Sequence, residues 1–356
     1  MSPSVLDRRK FGRLVGTGLA LAARGGLECV AYAKQPSIRV AAVQMTAELA
    51  NVDANLLKVE RLTRVAVERG ARWVILPEFF TSGIAFHPDM AKAVRAVDGA
   101  PAQLLRRLAR EGKIFVGGSF LAWHDGNAYN SFILALPDGS TRRHDKDIPT
   151  LWENCYYVGG NDDGALATPD GNVGVALCWE LVRSKTVARL KNRVSMVVGG
   201  SCWWSTRDTD PAEDPERKWI LDLLKVTPGR FARMVGVPVV HASHAGRFAG
   251  QSWPGDPTPF PSLYLGETQI VDGRGKILAR MSQEDGEGVI TADVSPGQTP
   301  GEHEAISDRF WIPEMPEPIH REWETALESG HKYYLSTTLP YLKERFRRSA
   351  GQTTKG

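Results

Sequence analysis

Three ionisable residues of this 356-residue chain lie at or near the ends of apolar segments. Glu78 follows the apolar run WVILP, Cys178 follows VGVAL, and Lys146 lies in a charged segment that could reach both. Taken singly, they have ordinary structural explanations: a surface charge at a strand end, a solvated lysine and a small buried thiol. Taken together, they are a base, a cation and a nucleophile, which is the set that covalent catalysis by a thiol requires.

Each of the three groups supplies something that the others lack. A free thiol has a pKa of about 8.5, so only a small fraction is the reactive thiolate at neutral pH. Cys178 therefore needs a base or a cation beside it. Glu78 can take the thiol proton and later activate water, a role typically worth about 10² to 10⁴ in rate. Lys146 and the backbone N–H of Trp179 can stabilise the negative charge that develops on the substrate, and removing one such donor typically costs about 3 kcal/mol.

Alternating strands and helices are predicted to position these residues. Over the first third of the chain the elements are expected at 38–45 (strand), 52–70 (helix), 71–79 (strand), 100–112 (helix) and 113–120 (strand). This alternation is typical of a layered α/β fold. Ligands of open α/β sheets bind beyond the carboxyl ends of the strands, so the strands before Glu78 and Cys178 are expected to end at one common site.

The second half of the chain continues the pattern without a linker or an internal repeat. It predicts helical segments at 214–225 and 229–236, with further strands between and after other helices. We therefore predict a single domain over residues 34–295 and a C-terminal extension over 296–356. The extension carries aromatic residues that need a surface to cover, and a neighbouring subunit could provide that surface.

The composition favours a small-molecule site. The net charge is +3, from 44 basic and 41 acidic side chains, so no strong field favours nucleic acid or an anionic membrane surface. The apolar stretch near the N-terminus is shorter than the roughly 20 residues that a membrane-spanning helix needs. We therefore expect neither a nucleic-acid partner nor a membrane span.

Residues 1–33 resemble a twin-arginine export signal. Arg8 and Arg9 precede a short apolar stretch, and Ala31 and Ala33 are small residues at the spacing of a cleavage site. We therefore predict a periplasmic or secreted protein. The alternative is a cytoplasmic protein with a disordered or membrane-surface leader.

Removal of that leader would leave the three cysteines Cys155, Cys178 and Cys202. An odd number of cysteines in an exported protein leaves at least one thiol unpaired, and such a thiol is a candidate for reactivity. A bridge between Cys155 and Cys202 is compatible with the sequence, although spacing alone does not decide it.

Several segments resemble, in order, the catalytic segments and the late hairpin of the nitrilase superfamily of carbon–nitrogen hydrolases: LPEFFTSG, DKDIPTLWENCYYVGGNDDG, ALCWE and GETQIVDGRGKILA followed by ADV. The resemblance implies a four-layer αββα sandwich. It also implies a catalytic triad of Glu78, Lys146 and Cys178, with Glu153 as a second glutamate that helps to orient water or substrate. It implies no cofactor, no metal and a homo-oligomer, dimeric or larger.

The resemblance further implies a reaction in which the Cys178 thiolate attacks an amide carbonyl or a nitrile carbon. Nitrogen leaves as ammonia or an amine, and water hydrolyses the resulting thioester; a nitrile first passes through a hydrated thioimidate. The signals for the substrate conflict. The patterns KxxPTxxE and CWE resemble nitrilases, whereas FFTSGIAF resembles amidases and carbamoylases, so the choice between amide and nitrile stays open.

Aromatic residues crowd the same segments. We predict that Phe79, Trp152, Trp203 and Trp204 line an apolar pocket that favours aromatic or bulky acyl groups. Core packing is the alternative explanation for these side chains.

Two other functions remain open at this stage: a non-catalytic binding or scaffold protein, and a soluble N-acyltransferase that passes the thioester to an amine. A metal site is not expected at His241 and His244, because residues three apart on a strand point to opposite faces. Nucleotide binding is not expected either, because GGS at 199–201 lacks a glycine-rich phosphate fingerprint.

Overall fold

The computed structural model describes residues 36–205, 213–301, 303–306 and 317–353. The predicted export signal, residues 1–33, lies outside these ranges. The described residues all belong to one compact unit. None of the helices in the described ranges combines the length and the apolar character needed to cross a membrane.

The strands are β1 (Ile38–Met45), β2 (Trp73–Ile75), β3 (Arg95–Ala96), β4 (Phe115–His124), β5 (Asn127–Ala135), β6 (Thr141–Asp145), β7 (Ala165–Thr168), β8 (Gly171–Val175), β9 (Met196–Ser201), β10 (Trp204–Ser205), β11 (Val239–Gln251), β12 (Pro259–Leu265), β13 (Thr268–Val271), β14 (Ile277–Met281) and β15 (Gly288–Val294). The α-helices are α1 (Val52–Glu68), α2 (Met90–Ala93), α3 (Ala100–Gly112), α4 (Ser184–Leu190), α5 (Pro215–Val235), α6 (Glu317–Tyr333) and α7 (Leu339–Thr353). Short 3-10 helices span Leu151–Cys155, Cys178–Val182 and Gln283–Asp285, and a π-helical turn at Tyr334–Thr338 joins α6 to α7.

Strand β1 lies where two groups of strands meet. The first group is β6, β5, β4, β2, β1 and β15, and the second is β11, β9, β8, β7, β13 and β14. The strand order is β6-β5-β4-β2-β1-β11-β9-β8-β7, with β15 antiparallel to β1 and with β13 and β14 continuing from β11. β1 pairs with β15 from Ile38 to Gln44, but it pairs with β11 only at Gln44 and Met45. The two groups are therefore joined only at the end of β1, and each forms its own sheet.

Alternate residues of β1 belong to different hydrophobic clusters. Val40 and Ala42 share a cluster with Val175 of the other sheet, whereas Ala41 and Val43 belong to a second cluster. That second cluster includes residues of α1 and α3: Val59, Leu62, Leu105 and Leu108. Because successive side chains of a strand point to opposite faces, one face of this sheet covers the second sheet and the other covers helices.

On the far side of the second sheet, α5 packs against β11 and β13, and α4 packs against α5. The order of layers is therefore helices, sheet, sheet, helices. This confirms the predicted αββα sandwich.

Helix α5 differs from the prediction of two helical segments, because it continues through Pro228. A proline inside a helix removes one backbone hydrogen bond and crowds the preceding turn. The Thr227 hydroxyl donates a hydrogen bond to the Leu223 carbonyl at 2.7 Å, and Pro228 is buried. Packing against the sheet thus outweighs the local cost of a proline inside the helix, which is the feature that led the sequence to predict two segments.

Candidate active site

The three predicted catalytic residues follow three different strands. Glu78 comes shortly after β2, Lys146 directly after β6, and Cys178 shortly after β8. The sequence predicts a strand that runs as far as Cys178, but β8 ends at Val175 and Cys178 begins a 3-10 helix. The backbone of Cys178 has a φ of 63°, which is incompatible with an extended strand at this residue.

The carboxylate of Glu78 is completely buried and held at both oxygens. Oε1 accepts hydrogen bonds from Lys146 Nζ at 2.9 Å and from Asn130 Nδ2 at 2.8 Å. Oε2 accepts a hydrogen bond from the backbone N–H of Cys202 at 3.1 Å. The Glu78 carbonyl oxygen lies 2.7 Å from Nε2 of His244. These contacts fix both the backbone and the side chain of the predicted base.

Lys146 joins Glu78 to Glu153. Its Nζ donates to Oε2 of Glu153 at 2.8 Å as well as to Glu78. The same Glu153 oxygen accepts hydrogen bonds from the Thr150 backbone N–H at 3.0 Å and from the Tyr157 hydroxyl. One buried ammonium group therefore lies between two carboxylates, as a thiol mechanism with a fixed cation requires.

The thiol of Cys178 completes the cluster. Its Sγ lies within 4.8 Å of a carboxylate oxygen of Glu78 and of a carboxylate oxygen of Glu153. The structure thus brings together all four predicted catalytic side chains. Trp179, the predicted oxyanion donor, directly follows Cys178 in the 3-10 helix, and its role stays a prediction.

The backbone is left-handed at one residue in each of the segments that carry Glu78, Glu153 and Cys178. Besides Cys178, the φ angles of Phe79 and Leu151 are 53° and 51°. Such a conformation costs about 1–3 kcal/mol for residues other than glycine and persists only where the surroundings enforce it. Residues held in this way are concentrated at functional sites, which agrees with the predicted role of the three segments.

The surroundings of each group set its protonation. Burial raises the pKa of Glu78 to about 7, although the nearby Lys146 ammonium opposes this effect. Burial also raises the pKa of the Cys178 thiol well above its usual value, and the Glu78 carboxylate adds to the shift. Burial lowers the pKa of Lys146, but the Glu153 and Glu78 carboxylates outweigh it and keep the pKa well above its usual value. A neutral thiol therefore faces a base that is poised near neutrality and a permanent cation.

Glu78, Glu153 and Cys178 are also types of residue that ligate metals. Their charges are already balanced, because Lys146 Nζ donates to both carboxylates. A metal ion placed among the three donors would have to compete with this ammonium group. The donor set therefore suits thiol chemistry better than metal binding.

A cavity of about 70 Å³ opens onto Cys178 and Glu153. Its other lining residues are Thr150, Leu151, Trp152, Trp179, Cys202, Trp203, Trp204, Ser205, Glu216, Arg217 and Ile220. Three of the four predicted pocket aromatics are among them, but Phe79 is not. Phe79 is completely buried and its ring packs 6.0 Å from that of Tyr157.

The volume of this cavity does not favour the bulky acyl groups that the aromatic content predicts. A cavity known to hold benzene measures about 150 Å³. A second cavity of about 100 Å³ lies beside the first and shares Trp152 and Trp204 with it. The remaining residues around the second cavity are Ala85, Phe86, Phe248, Gly250, Gln251, Ser252, Phe260 and Ser262. The rings of Trp152 and Trp204, 5.6 Å apart, therefore stand between a small catalytic cavity and a more apolar one.

Sequence reasoning missed the groups that orient the two glutamates, above all Asn130 and Tyr157. Asn130 is a completely buried polar residue of strand β5, close to the apolar run at 132–135, and this position is a signal that the sequence did contain. No local signal distinguishes Tyr157 from its aromatic neighbours. Cys155, Cys178 and Cys202 are free thiols, so the bridge between Cys155 and Cys202 is not formed.

The predicted C-terminal extension packs on the turn that carries Glu153. The Thr338 hydroxyl donates a hydrogen bond to the Cys155 carbonyl at 2.6 Å, and the ring of Trp323 lies 5.1 Å from that of Trp179. Gly330 of α6 packs directly on Asn154, because a Cβ at Gly330 would lie 2.8 Å from the Asn154 Cβ. These helices therefore cover the chain's own catalytic turns, and a subunit interface for them stays a prediction.

We expect Gly330→Ala to destabilise the protein by about 1–3 kcal/mol, because the added methyl group forces α6 away from Asn154. The sign is diagnostic, since glycine to alanine in an unobstructed helix stabilises by about 1 kcal/mol. Urea unfolding of the variant beside Ser329→Ala, on the same helix, measures the effect. A stabilised Gly330→Ala protein would contradict the close contact.

Comparison with known proteins identifies relatives of the chain. The profile of the carbon-nitrogen hydrolase family matches residues 39–300. An aliphatic nitrilase from Sinorhizobium fredii is 28% identical over 162 residues, which cover 40% of this chain and 53% of the nitrilase. An omega-amidase from Xenopus laevis is 31% identical over 140 residues, which cover 36% of this chain and 50% of that protein. The chain therefore spans about half the length of these curated relatives.

Solved structures share the fold. A carbon-nitrogen hydrolase from Helicobacter pylori superposes with a TM-score of 0.59 at 17% identity, covering 73% of this chain and 89% of that chain. A CN-hydrolase superfamily protein from Xanthomonas campestris gives a TM-score of 0.57 at 19% identity, covering 73% and 91%. The family profile matches well over half of the residues, and the sandwich and its buried Glu-Lys-Cys cluster accompany that match, so this chain belongs to the carbon-nitrogen hydrolase family of the nitrilase superfamily.

Proposed function

We propose that the protein hydrolyses a non-peptide carbon–nitrogen bond of an amide or a nitrile, with Cys178 as the nucleophile. The observation that carries the proposal is the position of one buried carboxylate, that of Glu78, which accepts a hydrogen bond from the Lys146 ammonium group and lies within 4.8 Å of the Cys178 thiol. Nitrilase and amidase relatives support the same class of reaction.

In the first half of the proposed reaction, Glu78 takes the thiol proton and the Cys178 sulfur bonds to the substrate carbon. Lys146 and the Trp179 backbone N–H stabilise the negative charge on the substrate heteroatom. For an amide, protonated Glu78 returns the proton to the nitrogen, the carbon–nitrogen bond breaks, and ammonia leaves a thioester on Cys178. For a nitrile, the first adduct is a thioimidate, and addition of water precedes the loss of ammonia.

In the second half, Glu78 takes a proton from water, and the resulting hydroxide attacks the thioester carbon. The carbon–sulfur bond then breaks, the carboxylic acid departs, and the thiol recovers its proton. Splitting one difficult displacement into two steps is the general advantage of a covalent intermediate. Glu153, which shares Lys146 with Glu78, is proposed to keep the ammonium group and the incoming water in place.

Ammonia release combined with hydroxylamine trapping tests this proposal. The full chain is incubated with matched pairs of small and aromatic amides and nitriles, with and without hydroxylamine. We expect ammonia from at least one pair and a hydroxamate when hydroxylamine is present, because hydroxylamine intercepts a thioester. If no pair yields ammonia or a hydroxamate, the proposal is contradicted and a binding protein is favoured. Formation of a hydroxamate without the acid would favour the acyltransferase.

The acyl group is proposed to be small, because the cavity around Cys178 measures about 70 Å³ and Trp152 and Trp204 close it off. Trp204→Ala is expected to join the catalytic cavity to its apolar neighbour. The variant should shift the ratio of kcat/KM for hexanamide over acetamide by about tenfold or more, since each buried methylene contributes about 0.8 kcal/mol. Trp253→Ala, which removes an exposed tryptophan that lines neither cavity, is the control. Equal ratios in the two variants would contradict the dividing role of Trp204.

A further inference from the structure

Glu180 is a completely buried carboxylate that the proposed reaction does not use. It lies in the 3-10 helix that begins with Cys178, yet it is absent from the residues that line the catalytic cavity. A buried charge without a partner is costly, so the contacts of this carboxylate indicate what it does.

The two oxygens of Glu180 bind the backbone on both sides of the site. Oε2 accepts a hydrogen bond from the Leu177 N–H at 2.9 Å, and Leu177 directly precedes Cys178. Oε1 accepts a hydrogen bond from the Asp147 N–H at 3.1 Å, and Asp147 directly follows Lys146. One side chain therefore links the backbone of the nucleophile to the backbone of the catalytic lysine.

Cations hold this carboxylate in its charged form. Oε1 accepts a hydrogen bond from Arg189 Nη2 at 2.7 Å, and Oε2 lies 3.1 Å from Nε2 of His144. The other ring nitrogen of His144 is hydrogen-bonded to Asp162. Burial lowers the pKa of His144, but Glu180 and Asp162 outweigh burial and raise it to about 10, so the ring is an imidazolium at neutral pH.

The charges around Glu180 balance. His144, Arg183 and Arg189 are the cations, and Asp147 and Asp162 are the other anions; the Asp147 carboxylate pairs with Arg183 and with Arg189. His144 also belongs to the catalytic lysine's own strand end, two residues before Lys146. The cluster thus lies beside the catalytic groups and is tied to the same two backbone segments.

We propose that Glu180 is a positioning residue for the hydrolysis, which holds the Cys178 sulfur at a fixed place relative to the Lys146 ammonium group. The inference rests on the proposed function, because it assigns roles to those two groups. A carboxylate suits the task, since hydrogen bonds to an ionised acceptor are roughly twice as strong as neutral ones. A glutamine has only one oxygen, so its amide nitrogen would face one of the two N–H donors. Misplacement of reacting groups by about 1 Å can lower a rate by about 10².

Glu180→Gln is therefore expected to lower kcat by about 10² while KM changes by less than about threefold. The matched control is Glu267→Gln, because Glu267 is equally buried and bound by Arg280 at 2.6 Å but contacts none of the catalytic segments named above. Both variants should lose stability in urea unfolding, but only Glu180→Gln should lose kcat. Arg189→Gln, which keeps both N–H contacts of Glu180, should lose much less kcat than Glu180→Gln.

A second readout does not depend on turnover. The rate at which iodoacetamide alkylates Cys178, followed by mass spectrometry across pH, should be about tenfold lower in Glu180→Gln at neutral pH, since the thiol no longer sits against its base. If no substrate is turned over, the proposed function fails while this comparison still decides the positioning role. Equal losses in Glu180→Gln and Glu267→Gln, or parent-like kcat and alkylation in Glu180→Gln, would overturn the inference. If Glu180→Gln does not fold, a kcat close to the parental value in Arg189→Gln, which keeps both N–H contacts of Glu180, supports the inference, and a loss of about 10² there overturns it.

Discussion

Cys178→Ala is expected to lose about 10⁴-fold or more of its kcat for ammonia release, because no other group in the cluster can form the covalent intermediate. Alanine keeps the Cβ, so the fold is expected to persist. The left-handed backbone at this position, with φ of 63°, is about equally unfavourable for cysteine and for alanine. Urea unfolding should therefore give similar free energies for the parent and the variant, and the loss of rate should be chemical.

The matched control is Cys155→Ala. Cys155 is also a buried free thiol, but burial raises its pKa to about 12 and it does not line the catalytic cavity. Iodoacetamide should inactivate the parent and Cys155→Ala at similar rates. In Cys178→Ala it should leave position 178 unlabelled. Ammonia release by Cys178→Ala at more than a few per cent of the parental rate would show that the thiol is not the nucleophile.

Glu78→Gln is expected to lose about 10² to 10⁴ in kcat/KM, because an amide cannot take the thiol proton. The pH dependence carries more information than the size of the loss. Only the ionised carboxylate accepts the proton, and burial raises the pKa of Glu78 to about 7. For the parent, kcat/KM should therefore rise with pH through about 7 and fall about tenfold for each pH unit below it.

In Glu78→Gln the break near pH 7 should disappear. The remaining rate then depends on ionisation of the Cys178 thiol, whose pKa burial raises well above its usual value, so the rate should keep rising with pH from about 5 to 8. Lys146 does not add a limb in that range, because the carboxylates beside it hold its pKa well above the usual value. The measurement is kcat/KM for one good substrate in a constant-ionic-strength buffer series. A break near pH 7 that persists in the variant would assign the titration to a different group.

Elements whose apolar pattern is local and uniform could be predicted with accurate bounds. The strand at Ile38–Met45 and the helix at Ala100–Gly112 agree with the sequence prediction at both ends. In β1 both faces are buried, which produces a continuous apolar run, and in α3 a single face is buried, which produces a clear helical period. The order of the segments around Glu78, Lys146 and Cys178 was likewise visible, because it depends on residue types alone.

Features that depend on contacts between distant segments could not be predicted in this way. The aromatic residues suggested a wide pocket, but Trp152, Trp203 and Trp204 pack against other rings and leave little space. The proposed role of Glu180 was equally hidden, since its partner Asp147 is 33 positions away and only the fold brings the two together. Packing geometry decides both results, and a pattern of residue types does not contain it.

The contact between Thr338 and Cys155 has a consequence for the timing of synthesis. The two residues are 183 positions apart in the sequence. At about 5–20 residues per second, a ribosome needs roughly 10 to 40 s to travel that distance. For most of this interval the nascent chain already contains Glu78, Lys146 and Cys178, while the turn that bears Glu153 still lacks the hydrogen bond from Thr338. The contact of the C-terminal helices with this turn can therefore form only late in translation, after every predicted catalytic side chain has been made.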